Sequence, residues 1–432
     1  MAWDFSTDPE YAAALKWADE FVREECEPLD YVVVESHDLK DPVRQALIPP
    51  LQKLVKERGL WATHLGSHLG GPGYGQVKLA LLNEILGRSV CAPIVFGSQA
   101  PDSGNSEILA HYGTSELKAR YLEPLLDNRI VSAFSMTEPQ GGADPKVFTT
   151  SATLDGDEWV IHGEKWFTSF ASLAAFLIVM AVTDPDAAPY QRHSMFVVPV
   201  ETPGINVLRD VGMGYEPVGD GYEAYVRYEG VRVPADHMLG PRGGAFAVAQ
   251  TRLGGGRIHH AMRTVGLVRR IFDMICERAV SRHTQGEMLG NKQMVQEMIA
   301  DSWMEIESFR LLTMQTAWKI DQLGDYRAVR ADISAVKAMM QKVLHDVSAR
   351  ALQLHGSLGT TNEMPLVRYL VESFVLGLAD GPTEVHKVTL ARQILKGYTP
   401  APDLFPSEHL VRRREAAQAK YAERLEGIVP VR

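Results

Sequence analysis

The feature that most constrains the fold is a double change of hydrophobic period along the chain. From Pro9 to about Asn128, apolar residues recur at helical spacing. Tyr11, Leu15, Ala18 and Val22 form one stripe, and Leu47, Leu51, Leu54 and Val55 another. The Gly-rich stretch Gly66–Gly75 interrupts the pattern and Leu79–Leu86 resumes it. Short helices are predicted at Glu107–His111 and Leu117–Leu126, around the Gly113-Thr114 turn. Near Ile130 the period becomes that of strands. Runs rich in β-branched and aromatic residues (Trp159–Ile161, Phe176–Val182, Met195–Val200, Ala224–Tyr228) alternate with turn signals such as Asp155-Gly156 and Pro203-Gly204. From Ala245 the helical period returns in long segments, 258–282, 291–322 and 329–355, where Ile333, Val336, Met340, Val343, Val347 and Leu354 make one stripe. Strands confined to one stretch between two helical ones predict an α+β chain. The expected parts are an N-terminal all-α domain over 1–129, a middle β domain over 130–240, a C-terminal four-helix bundle over 241–400 and a tail over 401–432.

Composition excludes several classes of function. Asp plus Glu number 54 against 44 Lys plus Arg, a net charge of −10, which is the wrong sign for a nucleic-acid footprint. The cysteines, Cys26, Cys91 and Cys276, are odd in number and lack metal-ligand spacing, so reduced thiols and no metal are expected. The first residues are acidic where a signal peptide is basic, and the longest apolar run, Phe176–Val182, is too short to span a bilayer. A soluble protein without membrane insertion is expected, cytoplasmic in a bacterium or in a mitochondrial or peroxisomal matrix in a eukaryote.

Four sets of strings carry chemistry. Ser135–Asp144 (SMTEPQGGAD) pairs Gly141 and Gly142, which let backbone approach a ligand, with N–H groups suited to the polar edge of a flat heterocycle. In Gly163–Thr168 (GEKWFT), Trp166 and Thr168 lie two apart, which on a regular strand puts them on one face. Arg257 stands in Gly254–His260 (GGGRIHH), and Arg282, Gln285, Gly286 and Gln293 in Ser281–Gln293. Guanidinium groups suit a diphosphate through forked, charge-assisted bonds. Last come Ala351–Gly359 (ALQLHGSLG), with Gln353, His355 and Gly356, and Leu378–Arg392 (LADGPTEVHKVTLAR), with Asp380, Gly381 and Glu384.

In this order, over about residues 10–397, the strings resemble the acyl-CoA dehydrogenases, a flavoprotein family. The resemblance implies FAD as cofactor. It places Met136, through its main chain, and Thr137 at the pyrimidine side of the flavin, Trp166 against the ring and Thr168 near N5. Gln353, Gly356 and Glu384 complete the cofactor contacts, and Arg282 and Gln293 reach the FAD pyrophosphate and adenosine from a neighbouring subunit. Arg257, Ala143 and Gly381 fall in the substrate region. Most relatives read Tyr-Glu-Gly-Thr where this chain has Ala379-Asp380-Gly381-Pro382, so Asp380 takes the place of the catalytic Glu. Other departures are Ala143 for a frequent Ser and Gln285 for a Phe.

The implied reaction is α,β-dehydrogenation of an acyl-CoA thioester to the 2-enoyl-CoA. A carboxylate takes the α-proton, flavin N5 takes the β-hydride, and an electron-transferring flavoprotein reoxidises the cofactor. A homodimer or homotetramer is implied as well. The Gly254–Gly256 run predicts room for long or branched acyl chains, and helix packing is expected of His259 and His260. Two other readings share the fold: a flavin oxidase acting on acyl-CoA or nitroalkanes, and, more distantly, a DNA-associated non-enzymatic relative, against which the net charge speaks.

Overall fold

The computed structural model describes residues 6–428. The first five residues of the predicted N-terminal domain and the last four of the tail lie outside the described residues. The chain begins with α1 (Pro9–Phe21), where the Asp8 side chain accepts the Tyr11 N–H and Pro9 supplies a first position that needs no donor. Asp41 caps α2 (Pro42–Glu57) in the same way. α3 (Gln76–Leu86) and α4 (Asp102–Tyr112) follow. The expected stripe on α2 is rotated. Leu47 and Leu54 are exposed, while Arg44, Ile48, Gln52 and Val55 face inward. The cause is polar: Arg44 and Gln52 both donate to Asn128 Oδ1, at 2.5 and 2.9 Å, which ties α2 to the turn leading into the sheet.

The middle of the chain forms one seven-stranded sheet: β1 (Ser132–Ser135), β2 (Ser151–Asp155), β3 (Glu158–Ser169), β4 (Phe176–Val182), β5 (His193–Pro199), β6 (Ile205–Val211) and β7 (Glu223–Pro234). Their order is β1-β4-β2-β3-β7-β6, with β5 also on β4. β1 runs parallel to β4, whose seven residues are almost all buried, as a strand covered on both faces requires. β1, β2 and β6 match none of the runs in the hydrophobic pattern; β6 is exposed or half-buried along its whole length.

The helical return begins at Ala245, as the period predicts, with α5 (Ala245–Ser281), which runs 37 residues and passes straight through Gly254–Gly256 into the long segment expected from 258. A two-residue hairpin, β8 (His283–Thr284) and β9 (Glu287–Met288), turns it into α6 (Gln293–Leu323). Gln285 and Gly286 both have positive φ, the combination such a tight turn needs. α7 (Arg330–His355) then packs against α5, α6 and the shorter α8 (Leu366–Leu378) and α9 (Thr383–Leu395). Leu79 and Ala80 of α3 join the same apolar core as these helices, so the first and last parts of the chain share an interior. The tail carries α10 (Leu410–Lys420), none of whose residues is buried. No helix among the described residues is long and apolar enough to cross a membrane.

Candidate active site

The segment after β1 is organised around one buried carboxylate. Glu138 accepts from the backbone N–H groups of Thr149 and Thr150 at 2.7 and 3.0 Å, and from Lys165 Nζ at 2.8 Å. Burial alone raises a carboxyl, but Lys165 and these donors outweigh it and hold Glu138 down at about 2. Lys165 Nζ also donates to the Met136 carbonyl at 2.8 Å, and Trp166 N–H to the Thr137 carbonyl at 2.9 Å. Ser135–Asp144 is thereby stitched to β3, with Met136 and Thr137 at the seam.

Two sequence expectations change here. A Cβ at Gly141 meets Val147 Cγ2 at 2.2 Å, so that glycine serves the loop's own packing. Gly142 alone faces open space, and Ala143 beside it is exposed. On β3 an extra residue bulges between Lys165 and Thr168, with Phe167 at φ +53°. Lys165 and Thr168 therefore pair with Val226 and Ala224 and share their buried face, while Trp166 is turned off it. Trp166 and Thr168 do not share a face as a regular strand predicts. The Thr168 hydroxyl meets Ser135 Oγ at 3.2 Å, and Ser135 Oγ meets Tyr228 OH at 2.7 Å. Trp166 Nε1 is a buried donor with no partner among the described residues. That orphan donor and the open approach at Gly142 fit a flat heteroaromatic group such as the flavin.

Asp380 lies in the turn between α8 and α9, at φ +54°, followed by Gly381 at φ +103°. Asp tolerates this region better than most side chains, and at Gly381 a φ of +103° strains any side chain, with His386 Nε2 3.1 Å from where a Cβ would stand. The turn is pinned by its main chain. Arg257 Nε donates to the Asp380 carbonyl at 2.8 Å and His386 Nε2 lies 3.3 Å from it, while Lys337 Nζ holds the Leu376 carbonyl at the end of α8. The Asp380 carboxylate lies over α5: a Cβ on Gly256 would stand 2.9 Å from Oδ2. Arg252 Nη1 is 3.9 Å from Oδ1 and His260 Nε2 4.0 Å from Oδ2. Burial brings His260 and His386 down to about 4, so both are neutral near pH 7, and it brings Lys337 down to about 8.

Cβ atoms at Gly254, Gly255 and Gly256 would meet Tyr326, Glu107 Oε2 and Asp380 Oδ2, so the space vacated along the glycine run seats those side chains. Glu107, on α4, is pushed up to about 8 by burial. It escaped the sequence reading, as did Arg252, Glu138, Lys165, Lys337 and His386; His260, assigned there to packing, also reaches the carboxylate. One signal was available: Arg252, Gly256, His260 and Arg263 recur at helical spacing, three polar residues and a glycine in one stripe on a helix whose buried positions are mostly apolar.

The remaining candidates are dispersed. Gln353 and Gly356 are exposed at the end of α7, and Glu384 is exposed in the first turn of α9. Arg282 and Gln293 flank the hairpin beyond α5 and are exposed. At the helical rise, the 25 residues from Arg257 to Arg282 span roughly 37 Å, so one chain does not bring Arg282 and Asp380 together.

Comparison with known proteins covers most of the chain. Models described as the N-terminal, middle and C-terminal domains of acyl-CoA dehydrogenase match residues 8–129, 133–222 and 243–395. "Probable acyl-CoA dehydrogenase FadE2" of Mycobacterium tuberculosis is 40% identical over 357 residues, 82% of this chain and 86% of that protein. Acyl-CoA dehydrogenase family member 11 of Rattus norvegicus is 38% identical over 81% of this chain, which spans only 45% of that longer protein. A solved structure assigned to an acyl-CoA dehydrogenase of Mycobacterium abscessus superposes with TM-score 0.84 at 36% identity, covering 91% of this chain and all of the other. Butyryl-CoA dehydrogenase of Megasphaera elsdenii, at 24% identity and TM-score 0.76 over 91% of this chain and all of that one, shares the fold.

Proposed function

The chain belongs to the acyl-CoA dehydrogenase family, and we propose that it oxidises an acyl-CoA thioester to the 2-enoyl-CoA, with FAD as hydride acceptor and Asp380 as the base. The observation that carries this reading is the seat of Asp380: a carboxylate fixed by its own main chain and laid over Gly256, where no side chain intervenes. The α-proton of a thioester is weakly acidic, so its removal needs an ionised acceptor held beside Cα. Arg257 and His386 supply that constraint through the Asp380 carbonyl.

Bound FAD supplies the acceptor for the β-hydride. Met136, Thr137 and Trp166 would hold its ring system along the seam between β1 and β3. Gln353, Gly356 and Glu384 would lie at its far side, and Arg282 and Gln293 would come from a second copy of the chain. Ala143 and Gly381 border the thioester on this reading, and an electron-transferring flavoprotein takes the electrons onward.

Replacing Asp380 with Asn keeps the shape and removes the base. The variant should retain the flavin spectrum and bleach with acyl-CoA under anaerobic conditions about 10²–10⁴-fold more slowly. Bleaching near the wild-type rate would remove Asp380 from the reaction. A panel of acyl-CoA chain lengths in the same assay assigns the preferred substrate, and the rate at which reduced enzyme reoxidises in air separates dehydrogenase from oxidase.

A further inference from the structure

Arg257 touches the peptide of Asp380. The group that faces its carboxylate from the neighbouring helix turn is Arg252, and its placement is unusually constrained. The Arg252 side chain is 12% exposed, and its Nη1 lies 3.9 Å from Asp380 Oδ1, too far for a hydrogen bond but close for two charges largely removed from water. Arg252 Nε donates to Asn105 Oδ1 at 2.9 Å, and Asn105 Nδ2 donates to Ser132 Oγ at 2.9 Å. The Ser132 N–H and hydroxyl donate to Asp102 Oδ1 at 2.8 and 2.6 Å, and Gln99 donates to the other oxygen at 3.1 Å. The guanidinium stacks 4.1 Å from the Phe134 ring, and Gly104 leaves room for its stem, since a Cβ there would stand 3.0 Å from Arg252 Cγ. A polar chain thus runs from β1, the strand that leads into the Met136–Thr137 seam, through α4 to a cation beside Asp380.

We propose that Arg252 is the positioning residue of the base, holding the Asp380 carboxylate so that Oδ2 stays over Gly256 and the carboxylate stays in register with β1. This rests on the reading of Asp380 as base. The alternative is that Arg252 balances the carboxyls of α4. Those need it less: Asp102 already has three donors from Ser132 and Gln99, and Glu107, pushed up to about 8, is uncharged near neutral pH. The other groups around Asp380 do not substitute for Arg252. Arg257 and His386 are engaged with its carbonyl, Arg263 donates to the Ser98 carbonyl at 3.3 Å, Lys337 is engaged with α8, and His260 is neutral.

The test uses flavin-loaded enzyme and the acyl-CoA that reduces it fastest, in unlabelled and α-dideuterated forms, with anaerobic rapid mixing. Arg252→Gln should keep its FAD stoichiometry and its KM, slow flavin bleaching by about ten- to a hundredfold, and enlarge the α-deuterium isotope effect as proton removal becomes limiting. Arg252→Lys should recover part of the rate. A purely structural role lowers the amount of competent enzyme and leaves the isotope effect where it was; that result, or an unchanged rate, overturns the proposal. If Arg252→Gln does not accumulate with flavin bound, Arg252→Lys and Asn105→Ser carry the test, since each loosens the guanidinium and each must enlarge the same isotope effect. Asp380→Asn run alongside separates the two claims. If it still bleaches, the base reading fails; if it is inert while Arg252→Gln behaves as wild type, only the role of Arg252 fails.

Discussion

At the scale of single residues, the pair with most at stake in stability is Glu138 and Lys165, both almost wholly removed from water. Their attraction offsets a large desolvation penalty only while both are present, so removing one leaves an uncompensated buried charge. Glu138→Gln should therefore destabilise by about 3–5 kcal/mol in urea melts. It should also weaken FAD retention, because Lys165 orients the Met136 carbonyl. The pH dependence has a definite sign. The folded-state pKa of Glu138 lies below its ordinary 4.5, at about 2. Its contribution is thus fully present above the ordinary value and is lost as pH falls from there through about 2. Urea midpoints measured against pH should drop less steeply in that window for Glu138→Gln than for the parent.

At the scale of elements, α5 shows glycine used for two different ends. Each glycine inside a helix costs about 1 kcal/mol relative to Ala, and α5 carries three in succession with Gly266 further on. At Gly256 the missing side chain makes room for the Asp380 carboxylate. Gly256→Ala should leave the melting temperature level or slightly raised, through helix propensity, while slowing flavin reduction, because the base must move. At Gly266 a Cβ would stand 1.9 Å from the Glu84 carbonyl of α3, a backbone atom that cannot swing aside. Gly266→Ala should destabilise by about 1–3 kcal/mol as the two helices are forced apart, with less effect on the rate per bound flavin. Thermal melts and rapid-mixing rates on the two variants should show opposite rankings.

For the whole molecule, the long α5 separates two halves of the proposed cofactor site. Arg257, which holds the Asp380 carbonyl, and Arg282 are roughly 37 Å apart along it, so a second copy must supply the Arg282 end if that end serves the FAD beside Asp380. Met294, Trp303 and Met304 of α6 present apolar surface to solvent, which gives such a copy something to cover. Light scattering should find a dimer or larger at micromolar concentration. Arg282→Ala should release FAD more readily on gel filtration without changing the mass of the assembly. A monomer that holds FAD stoichiometrically would overturn the shared-site reading.

The changes of hydrophobic period, the capping residues and the Gly-Pro punctuation are local properties. The order of helical, strand and helical regions was therefore legible in the amino-acid sequence, as was the Asp-Gly turn that carries Asp380. What lay beyond local reading depended on partners distant in the chain. The bulge at Phe167 turns Trp166 away from Thr168, a change that alternation along a strand cannot foresee. Arg44 and Gln52 rotate α2 because Asn128, more than 70 residues on, offers both an acceptor. The three glycines of α5 read as empty space until α4, Tyr326 and the α8–α9 turn fill it. Arg252 stands beside the Asp380 carboxylate only because β1, α4 and that turn converge there. Propensity and period act over a few residues and so are written in the sequence. Burial, close approach and the company of a charge are set by which segments the fold brings together, and those the tertiary structure decided.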